Sequence, residues 1–291
     1  MSIGEKLQSL PRPALYLILF IIASAGVWIS IPIPNQRAPA SEDFYKMINT
    51  IPADKPVLIS SDWTNSTRGE SAGEFKALIR VLMRRKIKFC VFSMADPNAP
   101  EVAKDTIQFV NEERRAAKEP EYVRFKDWVN AGFFPNAEAI SNSMNNNFRT
   151  AFQDKKTQDE NGNPVPIFSA PFMTNVKQIS DFSCLIIITG SKTSNIAIER
   201  VTKTPLVLAV TGVMGPEMQV YYDSHQVKGL VSGLKGLYDV ETHMDEDYKG
   251  QKNLDNGAKY YPTLHLVLTL MIVAVVTGNI GMWLARKGGA K

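Results

Sequence analysis

The sequence predicts an α/β protein: a mostly parallel sheet of about five strands with helices on both faces, flanked by N- and C-terminal transmembrane helices. Three observations carry that prediction. Residues 56–61, Pro56-Val57-Leu58-Ile59-Ser60-Ser61, form a short run of β-formers followed by a polar loop and a long amphipathic stretch, the pattern of a first βα unit. Cys184-Leu185-Ile186-Ile187-Ile188 is apolar without alternation, as a strand covered on both faces requires. Long uncharged stretches at 14–33 and 264–284 bracket the rest.

A chain of 291 residues has room for one domain of about 200 residues and two spans. Its boundaries are expected at 1–34 (tail and first transmembrane helix), 35–55 (linker), 56–240 (α/β domain), 241–261 (linker) and 262–291 (second transmembrane helix and tail). Cys90 and Cys184 both sit in apolar, strand-like runs and read as small core residues rather than a bridge. The net charge of +4 lies at the ends: residues 1–13 contribute +1 and residues 285–291 contribute +3, leaving 28 basic against 28 acidic residues between them. A neutral domain offers no basic surface for nucleic acid.

In chain order, the 35–55 segment is proline-rich, with Phe44, Met47, Ile48 and Ile51 spaced for a short docking helix. After strand one, Phe75, Leu78, Ile79, Leu82 and Met83 form one apolar helical stripe. Strand two is expected at 88–94, a helix at 100–118, strand three at 122–129 and a helix carrying Ile140, Met144 and Phe148 after it. Residues 154–171, with Asn161-Gly162-Asn163-Pro164, predict an inserted loop with a small hairpin. Strand four is expected at 182–189, strand five at 205–211, and a last helical region through Val227, Leu230, Val231, Leu234 and Leu237.

The first span is flanked by Tyr16 and Trp28 and stopped by Pro32 and Pro34. Ala23-Ser24-Ala25 also fits a signal-peptide cleavage site, but the apolar run continues through Val27, Trp28, Ile29 and Ile31, so a retained anchor is expected. Both short tails are positive, which predicts cytoplasmic termini and an extracytoplasmic domain, in the inner membrane of a cell. In the second span, Ala274, Gly278 and Gly281 give small-residue spacings, and Asn279 places an amide at membrane depth. These residues are expected to pack either on the chain's own first span, through Ala23, Gly26 and Ser30, or on other membrane subunits.

Ligands of parallel sheets bind beyond the carboxyl ends of the strands. The candidate binding residues are therefore Asp62, Asn65, Glu70, Asp96, Asn130 and Thr189. Thr67 and Glu70 also fit a capping box, and Ser224 fits an N-cap of the last helix. No catalytic set is assigned; a hydrolase or transferase would need Asp62 and Glu70 to converge on one cleft. No cofactor is expected: there is no G-x-G-x-x-G, and Gly190-Ser191-Lys192-Thr193 lacks the spacing of a phosphate-binding loop. His225, His243 and His265 have no partners at ligand spacing, so no metal is expected.

The run Tyr221-Tyr222-Asp223-Ser224-His225-Gln226-Val227-Lys228-Gly229-Leu230, with Ser61-Asp62-Trp63 and Gly69-Glu70, resembles a family of bacterial membrane proteins in which a Rossmann-like domain lies between two terminal spans. The resemblance runs from the first strand to the second span; the 112–170 segment is longer here. It implies architecture and no activity. The function expected is thus a non-enzymatic membrane-anchored subunit or scaffold, its partners the bilayer and other membrane proteins or itself. A small-molecule-binding sensor or transport-associated protein is the alternative.

Overall fold

A computed structural model describes residues 11–28, 33 and 35–288. In chain order the elements are α1 (Arg12–Trp28), α2 (Pro39–Asn49), β1 (Val57–Asp62), α3 (Arg68–Arg84), β2 (Phe89–Ser93), α4 (Ala99–Ala116), β3 (Trp128–Phe133) and α5 (Ala137–Phe152). There follow β4 (Lys156–Gln158), β5 (Pro164–Pro166), β6 (Leu185–Thr189), α6 (Thr193–Arg200), β7 (Leu206–Val210), α7 (Gly215–Asp223), β8 (Leu230–Ser232), α8 (Gly233–Asp247) and α9 (Asn256–Gly288). They make two compact units: Arg37–Asn253, and the terminal segments that contain α1 and α9.

The larger unit is a six-stranded sheet of order β3-β2-β1-β6-β7-β8, all parallel. β1, β2, β6 and β7 are buried along their whole length, which explains runs such as Leu185-Ile186-Ile187-Ile188. Alternate side chains divide between two cores. Val57, Ile59 and Trp63 face α3, α4 and α8, where Phe75, Leu78, Ile107 and Val240 meet them. Leu58, Cys90 and Phe92 face α5, α6 and α7, against Met144, Phe148, Ile198 and Met218. Both cysteines are free and buried.

Three expectations are corrected. The sheet has six strands, because residues 230–232 extend as β8 beside β7 where a helix was expected; α8 starts only at Gly233. Strand three lies at Trp128–Phe133 and not at 122–129: Tyr122 instead donates from its hydroxyl to the carbonyls of Leu82 and Ile87, and Phe125 turns the chain at φ 72°. Ser224 does not cap a helix start but follows the end of α7, its hydroxyl donating to the Tyr221 carbonyl.

The segments expected as linkers add helices to this unit. α2 covers the β8 edge, leaving no room at Gly229 for a side chain: a Cβ there would overlap the Phe44 backbone. Asp239 accepts from the Ala38 amide, Tyr45 donates to Asp247, and Tyr248 donates to Asn49, which ties α2 to α8 and the turn after it. The hairpin within 154–171 forms as β4 and β5.

In the smaller unit, α1 and α9 pack together, with Gly26 buried against Thr263 and Leu266. α9 contains a stretch, 256–286, long and apolar enough to cross a membrane; α1 is apolar but shorter. Ile29 to Pro32, part of the expected first span, fall outside the described residues, as does Ser30 within them.

Candidate functional site

The strand order reverses between β1 and β6, and in open parallel sheets such a reversal leaves a crevice beyond the strand ends. Around it lie the ends of β1, β6, β7 and β8 and the start of α3. Most of the expected site residues are held there by the fold's own hydrogen bonds.

Asp62 is buried and accepts from the Ser60 and Ser93 hydroxyls at 2.7 and 2.8 Å and from the Met94 and Ala95 amides at 2.8 and 3.2 Å. Burial pushes its carboxyl upward, and those donors work against the shift. The result is a clasp joining the end of β1 to the loop after β2. Thr189 donates to the Asp62 carbonyl and accepts from the Ser191 amide. Asn130 donates to the Pro100 carbonyl and accepts from the Gly132 amide. Asp96 accepts from the Asn98 amide and starts the turn into α4. Asn65 is exposed, at the start of a short 3-10 turn.

Glu70 behaves differently from the capping box expected of it. Thr67 makes no side-chain cap, and the Glu70 carboxylate reaches across to accept from the Gly212 amide at 2.7 Å, after β7. Asp62 shares a sheet face with Leu58, and Glu70 lies on the α3 side, so the two carboxylates do not converge as an acid/base pair.

Beside Glu70 the structure brings in a residue the sequence reading passed over. Glu74, one turn on, is 3% exposed, and neither of its carboxylate oxygens has a hydrogen-bond partner among the described residues. Burial raises its pKa well above the ordinary value, the Glu70 charge raises it further, and the nearby Gly233 amide offsets only part. Gly233 has φ +55°, and a Cβ there would sit 2.9 Å from the Gly212 backbone, so the tips of β7 and β8 close tightly over the pair. The signal was legible: Ser71, Glu74, Phe75 and Leu78 keep helical spacing, placing a carboxylate on the buried stripe of α3.

Among the described residues no group of three or more His, Cys, Asp or Glu is placed to hold a metal. His243 stacks on Tyr45 at 4.9 Å, and His265 meets Tyr261 edge to face at 4.5 Å.

On α9, Gly281 is buried while Ala274 and Asn279 are exposed, and Gly278 has nothing within 4 Å of a built Cβ. Ala274, Gly278 and Gly281 fall on the stripe of α9 that also carries Thr263, against which Gly26 of α1 packs, and Asn279 lies on the opposite, exposed side. Comparison with models of known protein families, with curated proteins and with solved structures yields no match.

Proposed function

We propose that this protein is a membrane-anchored subunit or scaffold of a membrane protein assembly, its Rossmann-like domain used for protein contacts. The observation that supports it best is the exposed face of α9 on which Asn279 stands with Leu268, Ile272 and Val276. An amide in hydrocarbon gains from a partner on a neighbouring helix.

The anchor is α9 paired with α1. Positive tails favour termini in the cytoplasm and a domain outside it, in a bacterial inner membrane. The alternative, a sensor reading a small molecule at the strand ends, loses support at Asp62, Asn130 and Thr189, whose polar atoms are engaged by neighbours.

Disulfide cross-linking tests the reading. Cys90 and Cys184 are fully buried, so Ile272→Cys on the Asn279 face adds the reactive thiol. In native membranes, mild oxidation should give one discrete cross-linked product, to a second copy or another subunit carrying a thiol, and Asn279→Leu should reduce its yield severalfold. A variant that stays uncrosslinked at every oxidant level, together with a lone monomer in mild detergent, contradicts the reading.

A further inference from the structure

We infer that Glu70 and Glu74, with the Ser71 hydroxyl, form a site for a hard divalent cation of the Mg2+ class at the start of α3. The inference is independent of the membrane role proposed above.

The first observation is the isolation of Glu74. It is almost wholly buried, neither oxygen makes a close hydrogen bond among the described residues, the Gly233 amide is the one donor that faces it, and the charged side chain acting on it, Glu70, has the same sign. A buried carboxylate without a partner is costly, and native structures rarely leave one unsatisfied. The second observation is a pair of orphaned hydroxyls. Ser71 Oγ and Ser61 Oγ are fully buried and have no hydrogen-bond partner among the described residues. Ser71 precedes Glu74 by three residues and so shares its helix face. Ser61 alternates with Ile59 and Trp63, which point to the α3 side of the sheet.

Every donor in this cluster is oxygen, which favours hard cations over zinc or copper. Mg2+ is commonly held by one or two carboxylates while keeping several waters, so a pair of glutamates is a sufficient anchor. Glu70 is half-buried and supplies the solvent side of the site, its position fixed by the Gly212 amide.

The experiment uses the full chain in mild detergent, with Mn2+ as a paramagnetic stand-in for Mg2+. Electron paramagnetic resonance should show one bound Mn2+ per chain, displaced by Mg2+, and Mg2+ should raise the Tm saturably. Glu70→Gln should weaken binding by at least about tenfold, and Glu74→Gln should abolish it while leaving the metal-free Tm equal or higher, because a neutral amide replaces a buried acid. Asp159→Asn, in the exposed turn of the β4–β5 hairpin, should bind normally. Wild-type protein that leaves all Mn2+ free at millimolar concentration, or a Glu74→Gln protein that binds as wild type does, overturns the inference. The wild-type measurement alone decides the matter if the Glu74 variant does not fold.

Discussion

Asp62 shows how a residue that looks functional in a sequence can be spent on structure. A carboxylate at the end of the first strand of a parallel sheet is the natural suspect for chemistry, yet its two oxygens are taken by four donors from Ser60, Ser93, Met94 and Ala95. Asp62→Ala should therefore destabilise the domain by about 1–3 kcal/mol for each buried donor left unpaired. Asp62→Asn should be far milder, because Oδ1 keeps three donors and the Ser60 hydroxyl can turn to accept from the new amide. Urea denaturation of the two variants measures the difference. His243 provides the pH counterpart. Burial and the Arg37 charge lower its pKa from 6.5, against the opposing pull of Glu246, Glu42 and Asp247, while its ring lies on Tyr45. As pH falls below 6.5 the unfolded chain takes up a proton that the folded imidazole refuses, so stability should drop until the lower folded pKa is passed. Tm measured against pH should show that loss, and His243→Gln should remove it.

At the scale of elements, what was legible depended on periodicity. Strands covered on both faces announce themselves as unbroken apolar runs, so β1, β2, β6 and β7 were readable, as was the stripe of α3. β8 was not: Val227, Leu230 and Val231 keep helical spacing, and only the parallel pairing with Leu208 to Val210 makes residues 230–232 a strand. β3 was misplaced because Tyr122 and Val123 have the composition of a strand, while hydrogen bonds from distant carbonyls and a positive φ at Phe125 hold them as a loop. The site was legible in part. Glu70 was singled out, but its partner at Gly212 lies 142 residues away and no local pattern could reveal it. The docking of α2 on β8 is equally non-local, and it makes a sharp prediction. Gly229→Ala pushes a methyl into the Phe44 backbone, which cannot swing aside as a side chain can. A loss of about 1–3 kcal/mol is expected, with hydrogen exchange accelerating across α2 more than across β6.

At the scale of the whole molecule, the chain combines a doubly covered parallel sheet with terminal helices whose outward faces are apolar. Tyr16, Phe20 and Ile21 on α1 and Leu268, Ile272 and Val276 on α9 are all exposed, a surface suited to lipid or to other helices rather than to water. The sheet-bearing unit is closed by its own hydrogen bonds at Asp62, Asn130 and Thr189, which suits a body that presents surfaces to partners. The role proposed for this protein is residence in the membrane as part of a larger assembly, and native mass spectrometry of the protein released from washed membranes in mild detergent is its most stringent test. The chain should stay with the membranes through an alkaline wash and fly as a multi-subunit species that Asn279→Leu dissociates. Recovery in the soluble fraction, or a single chain with nothing bound to it, would contradict it.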